Sequence, residues 1–180
     1  MSSLRSIHPR LWVAGQDGCC EGSPECAVVH ACKTPCHQRA IGYAKSLPRE
    51  HPNYLARADA HDLWLNLIDP PGPLFQLESF RQFFAFAAPR YDAGQALRIH
   101  CNQGESRSAS LALLLLSRHL QVLSQHSYAE ALAGYVALDP ASRPGRGLAQ
   151  FLEANWHLLA CCCARCLGAD VSNRPGARER

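Results

Sequence analysis

The segment HCNQGESRS, residues 100–108, sets a cysteine six positions before an arginine, with a glycine between them and a serine directly after. Cys-x5-Arg alone carries little weight. With ten cysteines and 16 arginines in 180 residues, about one such pair is expected by accident. The surroundings are what make it chemical. ALRIH, residues 96–100, reads as a strand, and residues 108–120 are apolar on nearly every face, which marks a helix buried in the domain centre. A tight loop from a strand end into a helix start turns successive backbone N–H groups inward and cradles a tetrahedral anion. Gly104 permits backbone angles that a side chain would resist. Arg107 adds a planar fork that can hold two phosphate oxygens at once, which lysine could not copy. The same positive field favours the thiolate of Cys101. A thiolate at the floor of an anion cradle is suited to attack on phosphorus.

The elements that must position this loop can be read from hydrophobic period and breakers. LWVAG (residues 11–15) and AVVHA (27–31) read as short strands, and residues 37–47 as a short helix. DLWLNLI (62–68) reads as a strand ended by Asp-Pro-Pro-Gly. Residues 74–88 carry Leu77, Phe80, Phe84 and Ala87 at helical spacing. Ser127 and Glu130 fit a capping box that opens a helix with Leu132, Tyr135 and Val136. DPASRPG (139–145) is a loop, followed by a last helix from about Gly147 to Cys163. The expected fold is α/β, a central, mostly parallel β-sheet flanked by helices. Residues 1–166 form a single domain and 167–180 a basic tail expected to be disordered.

The totals narrow the functional classes. The chain is long enough for one core without disulfides or metals. A net charge of +3 with scattered basic residues gives no footprint for nucleic acid or an anionic membrane. The longest apolar run, Leu111–Leu116, is far too short to span a bilayer, and the N-terminus has no signal-peptide core. A cytoplasmic protein with reduced thiols is expected. Cys32-x3-Cys36-His37 and the group Cys161, Cys162, Cys163 and Cys166 hold ligand types for zinc, but neither makes a paired C-x2-C framework. No metal and no cofactor is expected.

HCNQGESRS resembles the H-C-x5-R-[ST] signature of the cysteine-dependent protein tyrosine phosphatases, and the chain as a whole resembles their dual-specificity branch, particularly the small bacterial and phage members. IHPRLWVAG, HACKTPCHQRAIGY, LWLNLIDP and SRPGRGLAQFL extend the similarity over roughly residues 7–157. The resemblance implies a phosphatase-like fold and hydrolysis of phosphate monoesters through a cysteinyl-phosphate. It implies Cys101 as nucleophile, Arg107 as phosphate clamp, and Asn102, Gln103, Gly104, Glu105 and Ser106 as the loop that binds substrate. Ser108 would donate a hydrogen bond to the departing sulfur, and His100 would orient the loop. Such enzymes carry their acid, an Asp, about thirty residues before the nucleophile; Asp69, just past the LWLNLI strand, fits that place and the sheet edge where α/β sites lie. Asp59 and Asp62 precede the strand and should fall at its other end. Lys33 and Arg143 are further candidates for holding substrate.

Glu105 occupies a position where phosphatases of inositides tend to carry lysine. A carboxylate there repels further phosphates, so phosphoproteins or small phosphate esters are the expected partners. Two other classes stay open: a phospho-ligand-binding module with little turnover, and a sulfurtransferase of the rhodanese type. Oligomeric state is not legible.

Overall fold

Strands and helices alternate through residues 4–159, the part of the chain that the computed structural model describes. Strands β1 (Arg5–His8), β2 (Leu11–Ala14), β3 (Cys26–His30), β4 (Ala56–Ala58), β5 (Asp62–Leu65) and β6 (Ala96–His100) form one sheet in the order β1-β2-β6-β3-β5-β4. The four central strands are parallel, and β1 and β4 close the two edges antiparallel. The mostly parallel α/β sheet expected from the sequence is the one observed.

Period-2 alternation gives the sheet two chemically different faces. Val13, Ile99, Val29 and Leu63 lie in one cross-strand row on the apolar face. Helices α2 (Leu77–Asp92), α3 (Arg107–Leu114), α4 (Tyr128–Leu138) and α5 (Arg146–Asn155) bury their side chains with that face in one hydrophobic cluster. Phe80 and Phe151 stack at 5.2 Å between centroids and tie α5 to α2. The neighbouring row, Ala14, His100, His30 and Trp64, lies on the opposite face. Against it lie the turn Gln16–Gly18 and the turn Lys33–His37, which leads into the short α1 (Gln38–Ile41).

Helix α3 is buried from Ser108 to Leu114, as its apolar sequence requires, and continues to His119 with a widened last turn in which Leu120 N–H donates to the Leu115 carbonyl at 2.9 Å. Ser127 caps α4 by accepting from Glu130 N–H at 3.2 Å. Several boundaries differ from the sequence reading. The helix expected over 37–47 ends at Ile41, where Gly42 turns left-handed at φ 89°. The strand expected to reach Ile68 leaves the ladder after Leu65, and α2 starts at Leu77 because Gln76 is still extended. Strands β1 and β4 went unread. The last helix, expected to reach Cys163, is helical through Asn155; Cys161–Cys166 and the tail lie outside the described residues.

Candidate active site

Cys101 follows the last residue of β6, and its N–H donates to the Ala14 carbonyl of β2 at 3.2 Å. The chain then turns through Asn102–Ser106 and enters α3 at Arg107. Cys101 is 1% exposed, at the floor of the turn. Gly104 N–H donates to Sγ at 3.2 Å, and Ser108 Oγ lies 3.3 Å away. Burial pushes the thiol up. Hydrogen bonds from the Ser108 hydroxyl and N–H, the Arg107 charge and the Gly104 N–H outweigh that, so the pKa lies below the ordinary cysteine value. The first N–H groups of α3 have no acceptor within the helix and face the same turn.

Gly104 is required here. Its φ is 81°, and an added Cβ would sit 2.7 Å from the Ala14 carbonyl carbon and the Gly15 nitrogen. The loop's outer side is held by residues the sequence did not flag. Arg5 Nη2 donates to the Gly104 carbonyl at 2.6 Å, while Nε and Nη2 grip both oxygens of buried Asp139 at 2.8 and 3.0 Å. Arg5 and Asp139 are 134 residues apart, and no local pattern announces such a pair.

Arg107 spans the mouth of the loop. Nη1 donates to the Leu67 carbonyl at 2.9 Å and Nη2 to Asn102 Oδ1 at 2.6 Å, while Nε is buried without a hydrogen-bond partner. Asn102 is itself anchored by its amide, which donates to the Thr34 carbonyl at 2.9 Å. The Leu67 carbonyl also accepts from Lys33 N–H at 2.8 Å, so the chain leading to Asp69 is tied directly to the arginine.

Asp69 packs against Gly145 at the entry to α5: a Cβ at position 145 would lie 2.8 Å from the Asp69 carboxyl carbon and closer still to Oδ1. Gly145 N–H in turn donates to Ser106 Oγ at 2.8 Å. Asp69, Gly145, Ser106 and the backbone of the loop between Cys101 and Arg107 thus form one connected edge. A second glycine, Gly147, lets the Pro70–Gly72 segment pass; a Cβ there would sit 2.6 Å from the Gly72 carbonyl carbon.

Other expected residues take different places. Glu105 is half-buried and its carbonyl accepts from Arg143 N–H at 2.8 Å, whereas the Arg143 side chain turns back to the Pro140 and Ser142 carbonyls. Gln103 is exposed. Lys33 lines a cavity of about 180 Å³ with Tyr54, Asn66, Leu67, Ile68 and Gln76. This cavity adjoins the loop on the Arg107 side through Leu67, which lines it and whose carbonyl accepts from both Arg107 and Lys33 N–H. Asp59 and Asp62 do not join the site: Asp59 accepts from the N–H groups of His61 and Asp62, and Asp62 binds His30. The His100 imidazole points to the opposite face of the sheet, where Nε2 lies 2.7 Å from His30 Nδ1.

No family model matches the sequence, and no curated protein is similar enough to count as a relative. The fold is nevertheless shared with solved phosphatase structures. The human tyrosine phosphatase-like serine/threonine/tyrosine-interacting protein superposes with TM-score 0.60 at 16% identity, over 86% of this chain and 96% of that one. Human DUSP28 gives 0.58 at 18%, over 87% and 95%. Cydia pomonella PTP-2 phosphatase gives 0.58 at 20%, over 86% and 91%. The chain therefore has the dual-specificity phosphatase fold.

Proposed function

We propose that the chain is a cysteine-dependent phosphatase that hydrolyses phosphate monoesters through a cysteinyl-phosphate. The supporting observation is the union, in one loop, of a buried, hydrogen-bonded Cys101 sulfur with an Arg107 fork held across the loop and still carrying a buried, unpartnered Nε–H. The phosphoryl group enters the cradle with its oxygens on the loop N–H groups and the guanidinium. The Cys101 thiolate attacks phosphorus, the P–O ester bond breaks, and Asp69 delivers its proton to the leaving oxygen. The Asp69 carboxylate then takes a proton from water as the water attacks the thiophosphate. The P–S bond breaks, and Ser108 Oγ–H donates to the departing sulfur. No metal ion is needed at phosphorus, since the cradle and Arg107 carry the charge of the transition state.

The expected substrate is a phosphorylated protein side chain or a small phosphate ester. Its leaving group would rest against the cavity lined by Lys33, Tyr54 and Ile68. Glu105 at the loop edge disfavours polyphosphorylated head groups. The experiment is hydrolysis of p-nitrophenyl phosphate without added metal, blocked by vanadate and lost in Cys101→Ser. Turnover that survives that substitution would overturn the reading.

A further inference from the structure

On the sheet face away from the phosphate loop, four groups from separate parts of the chain converge. They are Cys19 Sγ, His30 Nδ1, Cys36 Sγ and His100 Nε2, all within 4.8 Å of one another. His30, Cys36 and His100 are buried. The geometry points to a tetrahedral Cys2His2 site for a zinc ion, closed and structural, directly beneath the catalytic loop.

The spacings are those of such a site. With bonds of about 2.3 Å to sulfur and about 2.0–2.1 Å to nitrogen, tetrahedral ligand atoms lie about 3.8 Å apart for two sulfurs, about 3.6 Å for sulfur and nitrogen and about 3.3 Å for two nitrogens. Here Cys19 and Cys36 are 3.9 Å apart, Cys19 and His30 3.7 Å, Cys36 and His100 4.0 Å, and the two imidazole nitrogens 2.7 Å. An ion would need the two imidazoles to part by about 0.6 Å and Cys36 and His100 to close by about 0.4 Å, while the two remaining pairs lie within 4.8 Å.

A second observation is independent of those spacings. His30 Nε2 sits 2.8 Å from Asp62 Oδ1, and both Asp62 oxygens accept from Gly22 N–H at 3.0 Å. A neutral His30 that donates from Nε2 turns the lone pair of Nδ1 toward the cluster. This is the carboxylate–histidine–metal relay that orients metal-bound imidazoles. Charge closes as well. Two thiolates neutralise a divalent ion, the two displaced thiol protons pass to water, and the ion with its four ligands is formally neutral, with Asp62 beside it and Cys19 at its exposed side.

The register explains why these residues meet. His30 and His100 are paired neighbours on β3 and β6, and the turns after β2 and β3 bring Cys19 and Cys36 onto the same face. His100 immediately precedes Cys101, so the ion would fasten the ends of β3 and β6 and the turn carrying Cys36 behind the phosphate loop. It would touch neither substrate nor the reacting atoms.

The test uses the full chain, produced with zinc present and kept reduced. The expected result is about one equivalent of zinc per chain. Replacing it with Co2+ should give the visible bands of a tetrahedral ion and near-ultraviolet thiolate-to-cobalt charge transfer. Cys19→Ser and Cys36→Ser should lose both signals. Cys26→Ser, and a variant with Cys161, Cys162, Cys163 and Cys166 all changed to serine, should keep them. Cys101→Ser should retain the metal while losing phosphatase turnover, which separates this site from the catalytic reading. Should Cys19→Ser or Cys36→Ser fail to fold, metal-free wild type titrated with Co2+ gives the same answer, with a Tm that rises on adding one equivalent of zinc. Absence of stoichiometric metal and of the cobalt bands in wild type would overturn the proposal. So would metal retained by both serine variants, or a Cys19–Cys36 disulfide in protein thiol-trapped at lysis.

Discussion

Gly145→Ala should separate stability from catalysis at this site. The residue sits at φ −60°, ψ 147°, which alanine adopts freely, and its N–H can keep its bond to Ser106. The new methyl would lie 2.8 Å from the Asp69 carboxyl carbon. Ordinary carbon–carbon contact is about 3.5–4.0 Å, so the carboxyl group must retreat by roughly 0.7–1.2 Å. Because the clashing atoms are the free end of a side chain, that movement costs little. The restricted unfolded chain returns about 0.4–1 kcal/mol, and the net change in stability should stay within about 1 kcal/mol. Catalysis is less forgiving. A general acid contributes about 10²–10⁴-fold, and a misplacement of about 1 Å costs on the order of 10²-fold. The expected kcat/KM, which reports formation of the thiophosphate and not its hydrolysis, falls about 10²-fold for phenyl phosphate, whereas for p-nitrophenyl phosphate, whose leaving group needs little protonation, it falls less than about tenfold. Steady-state kinetics on the two esters, beside thermal unfolding, reads all three quantities. The decisive comparison is Gly145→Ala on an Asp69→Asn background, where the methyl has no acid left to displace and should cost almost nothing more. Equal losses on both esters, or a second 10²-fold loss in the double variant, would refute the assignment of Asp69 through Gly145.

Arg107→Lys keeps the charge but loses the fork that meets Leu67 and Asn102 and that the proposed mechanism sets on the phosphate, so kcat on any ester should fall by at least about 10²-fold. Ser108→Ala should slow breakdown of the thiophosphate more than its formation, giving a burst of p-nitrophenol in stopped-flow; a linear trace with a lowered rate would deny Ser108 that role. Arg5→Ala leaves Asp139 buried and unpaired. Breaking a fully buried pair costs about 3–5 kcal/mol, and since Arg5 is 26% exposed a loss of about 2–3 kcal/mol in denaturant unfolding is expected. Gly147→Ala meets backbone rather than a free side chain, so it should destabilise by about 1–3 kcal/mol as the Pro70–Gly72 segment shifts.

What could be read from the sequence was local. Strand β6, the loop and α3 are contiguous, so Cys101, Gly104, Arg107 and Ser108 come together with no long-range information. Asp69 was placed near that loop because a parallel sheet puts successive strand ends on one edge, and its carboxyl lies against Gly145, whose N–H binds Ser106 of the loop. Strand β4 has the sequence Ala-Arg-Ala, with no β-propensity, and exists because β5 offers it a ladder. Strand β1 is four residues long and carries Arg5 to Asp139 across the fold. The helix expected after His37 was over-read because apolar spacing continued past Gly42, the residue that ends it. The cysteines mislead in the same way. Cys36 was weighed with Cys32 and His37, its neighbours in sequence, whereas its sulfur meets Cys19 and His100, 17 and 64 positions away. Sheet register brings that cluster together, and spacing along the chain does not carry it.

The most direct measurement of the central claim is the covalent intermediate itself. Asp69→Asn, mixed with p-nitrophenyl phosphate and acid-quenched within its first turnovers, should carry one phosphoryl group, mapped by peptide mass spectrometry to the sulfur of Cys101 and absent from Cys101→Ser. A phosphoryl group on any other residue, or steady hydrolysis with no adduct on Cys101 at any quench time, would contradict the account.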